Sequence, residues 1–139
     1  MIEFVYGSKG SGKTKKMIDM ANTALETCEG DIIFLNDRDK YRVKVDTKIR
    51  FTILEEFGIV GTDQLFGFIS GVIAENYDVK IVFIDNTLRL INYQSSEDIC
   101  KIVQKIQQLT EYFSLIGNDL ETSEILYFNT FAVIQKNAS

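Results

Sequence analysis

The stretch Gly7-Ser8-Lys9-Gly10-Ser11-Gly12-Lys13-Thr14 fits the pattern G-x-x-x-x-G-K-[ST] at every fixed position. Residues 2–6 before it (IEFVY) form a short β-prone run, and residues 13–28 after it have the apolar spacing of an amphipathic helix. Glycines in such a strand-to-helix turn let the backbone turn tightly and point its N–H groups inward, in front of a helix N-terminus. The stretch therefore predicts an anion-binding loop.

Two side chains of this loop carry the chemistry of a nucleotide site. Lys13 is expected to reach the β- and γ-phosphates, and the Thr14 hydroxyl is expected to ligate Mg²⁺. With strand, loop and helix in register, these residues resemble the Walker A motif of the P-loop NTPase superfamily. The resemblance implies ATP and Mg²⁺ as cofactors. The implied nucleotide-binding residues are Gly7, Ser8, Lys9, Gly10, Ser11, Gly12, Lys13 and Thr14.

The composition favours one globular domain. A length of 139 residues suits a single core, so residues 1–139 are expected to form one nucleotide-binding domain. The formal net charge of −5 gives no global basic field, so the charge does not indicate nucleic acid as a partner, although a local basic patch stays open. No membrane span is apparent and the first strand begins at residue 2, which favours a cytoplasmic protein with no membrane partner.

A second motif lies at residues 80–85 (KIVFID), where four apolar residues precede an acid. Such a run is typical of a strand that is buried along its length and ends in a carboxylate at the C-terminal edge of the sheet. Ligands bind at that edge in open α/β sheets. The run resembles a Walker B strand, and the resemblance implies that Asp85 holds Mg²⁺ together with Thr14.

The rest of the chain alternates apolar runs with amphipathic stretches. Strands are predicted at 31–35, 49–54 (at a sheet edge), 80–85 and 125–128, and helices at 13–28, 62–76 and 95–117. Thr62 or Asp63 is expected to cap the second helix, and Ser95 with Asp98 is expected to form a capping-box-like start of the third. Gly67 and Gly71 lie one turn apart on it, which favours close internal packing over a dimer seam. The predicted fold class is α/β, a three-layer α/β/α P-loop NTPase core with a mostly parallel sheet of about five strands.

The order of elements resembles the RecA-like and AAA-like division of the superfamily. That resemblance implies a strand between the P-loop strand and the Walker B strand, with a polar sensor at its end. Asn129, or Thr130, is the candidate sensor. One position departs from the pattern, because Asn86 stands where many members carry a Glu directly after the Walker B Asp.

RecA-like members instead take the catalytic Glu from the end of another strand. This implies Glu55 and Glu56 as candidates for orienting the attacking water, with Asp37 a weaker one. Solvated loop acids are the alternative interpretation of Glu55 and Glu56. Lys13 joins the catalytic set because its charge stabilises the transferring phosphoryl group.

Residues 36–39 (NDRD) superficially resemble the N-K-x-D guanine-reading motif of small GTPases. The Lys is replaced and the stretch comes early in the chain, so residues 36–48 are interpreted as a solvated loop. A nucleotide-kinase function is also disfavoured, because no Arg-rich lid follows Asp85 and only Arg89 lies near the predicted site.

These patterns predict a small stand-alone ATP–Mg²⁺-binding protein with weak intrinsic ATPase activity. A protein partner or self-association is expected to provide the output, because a chain of this size holds little beyond the core. The alternative is a non-hydrolysing binding module, in which ATP orders the 36–48 segment for partner recognition. A GTPase or small-molecule kinase is less expected.

Overall fold

The computed structural model describes residues 2–7, 12–37, 42–76, 78–92, 94–115 and 125–131. The first and last of these ranges, residues 110–115, and Leu88, Ser96 and Ile99 are described by their backbone alone. The strands are β1 (Ile2–Gly7), β2 (Asp31–Asn36), β3 (Arg50–Ile53), β4 (Val79–Ile84) and β5 (Ile125–Phe131). The helices are α1 (Lys13–Ala24), α2 (Thr62–Glu75), α3 (Thr87–Leu90) and α4 (Ser96–Leu115). The predicted α/β class is confirmed.

The strands form one sheet in the order β1-β5-β4-β2-β3, and every recorded pairing is parallel. The last strand in sequence, β5, pairs with β1 on one side and with β4 on the other. The edge strand predicted at 49–54 is observed as β3, whose neighbour among the described strands is β2. Because parallel strands end on the same side, β1, β2 and β4 present their C-terminal residues at one edge of the sheet.

Helices cover both faces of the sheet. Phe34 of β2 and Phe83 of β4 pack on the side of α1, with Met17 and Ala21. The neighbouring positions point the other way, so Leu35 belongs to the cluster that contains the buried residues of α2 and α4. This two-sided burial explains why β2 and β4 have continuous apolar runs instead of alternating ones.

Three phenylalanines form a stack across neighbouring strands on the α1 side. The ring of Phe34 lies 5.5 Å from the ring of Phe51 and 5.8 Å from the ring of Phe83, centroid to centroid. Both partners are directly opposite Phe34 in the strand register. Cross-strand aromatic pairs of this kind fix the register as well as filling the core.

The helix ends show one wrong and one correct capping prediction. Neither Thr62 nor Asp63 caps α2. The N-cap is Gly61, whose φ of 93° and ψ of 162° lie in a region that is essentially restricted to glycine. At α4 the pairing of Ser95 with Asp98 is confirmed, because the Asp98 carboxylate accepts the N–H of Ser95 (3.2 Å) and of Gln94 (2.8 Å). These hydrogen bonds hold the pKa of Asp98 below its usual value.

The interpretation of Gly67 and Gly71 as sites of close internal packing is wrong. Both residues are exposed, and a Cβ atom built at either one would meet no heavy atom of the described residues within 4 Å. The buried face of α2 is formed instead by Leu65, Ile69 and Ile73. Among the described residues, no helix is both long enough and apolar enough to cross a membrane.

Candidate functional site

The first helix begins where the sequence pattern places it. Gly12 has a left-handed backbone (φ 87°, ψ 23°), and α1 starts at the next residue, Lys13. The carbonyl of Gly12 accepts the N–H of Lys16 at 3.0 Å, so this glycine already belongs to the hydrogen-bonding pattern of the helix. A side chain at position 12 would strain this backbone conformation. Residues 8–11, the middle of the predicted loop, lie outside the described residues.

Thr14 and Asp85 bring the two sequence motifs together. The Thr14 hydroxyl donates a hydrogen bond to Oδ1 of Asp85 at 3.2 Å, although the two residues are 71 positions apart. Asp85 follows the last residue of β4, and its side chain is fully buried. Its backbone N–H donates to the carbonyl of Leu35 at 2.9 Å, which fixes the end of β4 beside β2.

These two side chains suit Mg²⁺. Hydroxyl and carboxylate oxygens are the hard ligands that Mg²⁺ prefers, and it commonly uses one or two protein groups, completing its octahedron with phosphates and water. Within the described ranges, no group of three or more Cys, Asp or Glu side chains forms an all-protein metal cage. The Thr14 hydroxyl and the Asp85 carboxylate could serve as two of its ligands.

The second oxygen of Asp85 belongs to a buried polar network that sequence reasoning missed. Nδ2 of Asn36 donates to Oδ2 of Asp85 at 3.3 Å. Nδ2 of Asn86 donates to Oδ1 of Asp37 at 2.7 Å and to Oδ1 of Asn36 at 3.4 Å. Because Thr14 holds one oxygen of Asp85 and this network holds the other, the orientation of the carboxylate is fixed by the protein's own side chains.

The interpretation of residues 36–48 as one solvated loop is therefore wrong at its start. Asn36 is the last residue of β2 and is 1% exposed, while Asp37 is 4% exposed. One signal was present in the sequence. Both residues directly follow a buried strand, and the C-terminal ends of neighbouring parallel strands meet at one edge.

Asp37 also holds an arginine. Nε of Arg89 lies 3.1 Å from Oδ2 of Asp37, and the arginine side chain remains 54% exposed while that of Asp37 is 6% exposed. The backbone carbonyl of Asp37 accepts the N–H of Glu55 at 3.1 Å. Asp37 thus connects the polar network to α3 on one side and to the segment after β3 on the other.

Asn86 has a structural reason to be an asparagine. Its backbone is left-handed (φ 53°, ψ 42°) and forms the N-cap of α3. Asparagine tolerates this conformation better than glutamate, because its short side chain can satisfy local hydrogen bonds. Its amide also donates hydrogen bonds to Asn36 and Asp37, and an ionised glutamate could donate neither of them.

The remaining predicted site residues lie elsewhere along the edge. Glu55 and Glu56 are exposed on a 3-10 turn (Leu54–Phe57) that follows the edge strand. Strands β1 and β3 are four steps apart in the sheet, or roughly 19 Å at the usual strand spacing. The backbone of Asn129 is paired with Val5 inside β5; its side chain is outside the described part of the chain.

The structure thus gathers Lys13, Thr14 and Asp85 at one edge and adds Asn36, Asp37 and Asn86 to them. It places Glu55 and Glu56 at the far end of the sheet. The chain matches no family model, and no curated protein matches it.

Proposed function

We propose that the chain is a small stand-alone P-loop NTPase of the RecA-like or AAA-like division that binds ATP–Mg²⁺ and hydrolyses it slowly until a partner activates it. The observation that carries the proposal is the 3.2 Å contact between Thr14 and Asp85. Residues from two separate motifs, which the sequence predicts to share one metal ion, touch at the edge where α/β sheets bind ligands.

The strand order supports the same proposal. A strand that lies between the P-loop strand and the Walker B strand is implied by the resemblance to this division. Strand β5 occupies that position, between β1 and β4. Helices on both faces of the sheet agree with the proposed three-layer core.

Different residues at this edge would bind the phosphates and the metal. The N–H groups at the start of α1 and the Lys13 ammonium would hold the phosphates. Thr14 and Asp85 would hold Mg²⁺, which when bound neutralises phosphate charge. Asn36 would keep the Asp85 carboxylate turned toward Thr14 through its 3.3 Å hydrogen bond.

Asp85→Asn is expected to remove most of the Mg²⁺ dependence of ATP binding. The carboxylate serves the metal and not the phosphates, and an amide is a weaker ligand for a hard cation. Titration calorimetry with Mg²⁺ and with EDTA gives the two affinities for each protein. We expect the ratio of these affinities to fall about tenfold or more in the variant, with the EDTA affinity nearly unchanged. Equal ratios in variant and wild type would leave Asp85 as the end of a buried strand only.

Hydrolysis by the isolated chain is expected to stay well below 1 s⁻¹, the low end of typical enzyme rates. Asn86 replaces the activating Glu, and Arg89 is already paired with Asp37. An arginine supplied by a partner is worth about 10³–10⁵ in rate. Multiple-turnover phosphate release, with and without nucleic acid or a cell extract, measures the basal rate and its activation.

Among the candidate acids, Asp37 is better placed than Glu55 or Glu56. It directly follows β2, the strand next to β4, and two amides connect its carboxylate to Asp85. In single-turnover hydrolysis, Asp37→Asn is expected to slow the reaction by about 10²-fold, the lower range for loss of a catalytic acid or base. The matched control is Glu55→Gln/Glu56→Gln, which is expected to stay within about twofold of wild type because both side chains are exposed beyond the edge strand.

ATP affinity and thermal stability of each variant separate a chemical effect from lost binding or folding. A large loss in the double variant with an unchanged Asp37→Asn rate would reverse the assignment and restore the glutamates as the catalytic acids.

One observation favours the non-hydrolysing module as the second candidate. Asn36, at the start of the 36–48 segment, is hydrogen-bonded to Asp85, the proposed metal ligand. Binding or loss of a metal at Asp85 would therefore change the hydrogen bond that holds the first residue of this segment. Phosphate release at the background rate under every condition, together with tight ATP binding, would favour this candidate.

ATP is expected to be preferred over GTP by less than about tenfold, which corresponds to about 1.4 kcal/mol. The only guanine-reading candidate begins with Asn36 and Asp37, and both side chains are buried and hydrogen-bonded to other residues of the sheet edge. Competition of each nucleotide against a fluorescent ATP analogue gives the ratio. A strong GTP preference would contradict the proposed lack of base reading.

A further inference from the structure

One side of the edge strand β3 is not paired with any strand in the described part of the chain. It pairs with β2 over Arg50–Ile53, and no described strand lies on its other side. The exposed side of such a strand presents backbone N–H and C=O groups that can pair with another chain. An edge of this kind is where strand addition occurs.

Charges of opposite sign flank this edge strand. Four exposed basic residues lie before it or at its first position (Arg42, Lys44, Lys48 and Arg50), and with the exposed Asp46 among them this end keeps a net positive charge. Two exposed acids, Glu55 and Glu56, follow it. In an antiparallel pairing of two copies, the basic end of each strand would face the acidic end of the other. The strand is therefore electrostatically complementary to itself in the antiparallel orientation, and repels itself in the parallel one.

The helix beside this edge has an exposed face of small residues. Gly67 and Gly71 line a groove of about 440 Å³ between α2 and β3, together with Phe68, Val72, Arg50 and Thr52. Glycine is the least favourable helix residue after proline, and no described contact requires it here. Two glycines one turn apart do, however, allow a second helix to approach closely.

The apolar surface extends to the residues that come just before α2 in the chain. Phe57 is 61% exposed and Val60 is 59% exposed, and the ring of Phe57 lies 5.8 Å from that of Phe68 in the groove. Exposed apolar residues that adjoin one another, next to charges, are typical of a protein interface.

We propose that a second copy of this chain docks on this surface, with the two β3 strands antiparallel and the two α2 helices side by side at their glycine faces. A two-fold axis perpendicular to the sheet satisfies both contacts at once, because it keeps α2 of each copy on the same face. The two sheets then become one continuous sheet, and the interface is self-complementary as two-fold symmetry demands.

Sedimentation velocity over a range of protein concentrations, without nucleotide, tests this dimer independently of the proposed function. Wild type is expected to show a monomer–dimer equilibrium that weakens as salt screens the exposed charges. Arg50→Glu alone and Glu55→Arg/Glu56→Arg alone are each expected to weaken the dimer by about tenfold or more. The combined variant Lys48→Glu/Arg50→Glu/Glu55→Arg/Glu56→Arg reverses the two charges nearest to each end of the strand, and is expected to recover most of the wild-type affinity. Glu26→Arg, an exposed charge reversal just after α1, is the matched control and is expected to leave the dimer unchanged.

The helix contact is tested by Gly67→Gln/Gly71→Gln. Glutamine is a better helix former than glycine, so the variant is expected to melt at the same or a higher temperature while its dimer is weakened by tenfold or more. A wild-type chain that stays monomeric at every concentration would overturn the proposal. So would a combined charge-reversal variant that fails to recover, or a glycine variant that dimerises like wild type.

Discussion

Lys13→Ala is expected to lower the affinity for ATP by roughly ten- to a hundredfold while the fold stays intact. Lys13 is the first residue of α1 and is half-buried, directly after the left-handed Gly12. A hydrogen bond to a charged group contributes about 1.5–3 kcal/mol, and this contribution is lost when the ammonium is removed. The loss is expected to fall on binding, because lysine contributes charge to bound phosphate and little to the core.

The matched control for this variant is Lys16→Ala. Lys16 is an exposed residue of the same helix, so the substitution removes the same charge within one turn of the same N-terminus. Titration calorimetry of both variants with ATP–Mg²⁺ separates a specific phosphate contact from a general loss of positive charge. Equal affinities for the Lys13 variant and wild type would remove Lys13 from the site.

Phe34→Ala is expected to lower the free energy of unfolding by about 3–5 kcal/mol, the usual cost of truncating a buried aromatic residue. Phe34 is fully buried in the central part of the sheet and stacks on Phe51 and Phe83. Its removal leaves a cavity and breaks both cross-strand ring contacts at once. Since domains of this size are stable by only about 5–15 kcal/mol, the variant is expected to be close to unfolding at physiological temperature.

The matched control is Phe57→Ala, the same truncation at a residue that is 61% exposed. We expect its free energy of unfolding to stay within about 1 kcal/mol of wild type, because little packing is lost at the surface. Urea unfolding followed by circular dichroism measures both variants. Similar losses for the two variants would mean that the Phe34 stack is not the centre of the core.

The strands could be predicted because their pattern follows directly from two-sided burial. Residues 32–35 and 81–84 are continuously apolar, and the structure covers both faces of β2 and β4 with helices. The start of α1 at Lys13 could also be predicted, because a glycine-rich turn comes directly before residues with helical spacing of apolar side chains. Strand order was not accessible from the pattern of the strands themselves, because pairing depends on contacts between distant segments.

The buried network was missed because polarity is a poor guide at the end of a strand. Asn36 and Asp37 have the composition of a loop, yet hydrogen bonds to residues 49 or 50 positions later keep them buried. Such contacts are invisible to a local pattern. The capping of α2 failed for a related reason, because the backbone of Gly61 and not a side-chain hydrogen bond starts that helix.

Gly67 and Gly71 show the limit of a spacing argument. Their separation by one turn indicates a surface that another element can approach, but not whether that element belongs to the same chain. In the structure both residues are exposed, so no described element of the same chain packs closely against them.

The most direct test of the proposed nucleotide site is an NMR titration of the ¹⁵N-labelled wild-type chain with ATP–Mg²⁺, which is feasible for a protein of 15.9 kDa. The account predicts saturable binding, with the largest amide shifts in residues 7–14 and at Asp85. It also predicts smaller shifts at Asn36 and Asp37, which are connected to Asp85 through hydrogen bonds. A folded chain whose residues 7–14 and Asp85 do not shift at millimolar ATP–Mg²⁺ would contradict the account.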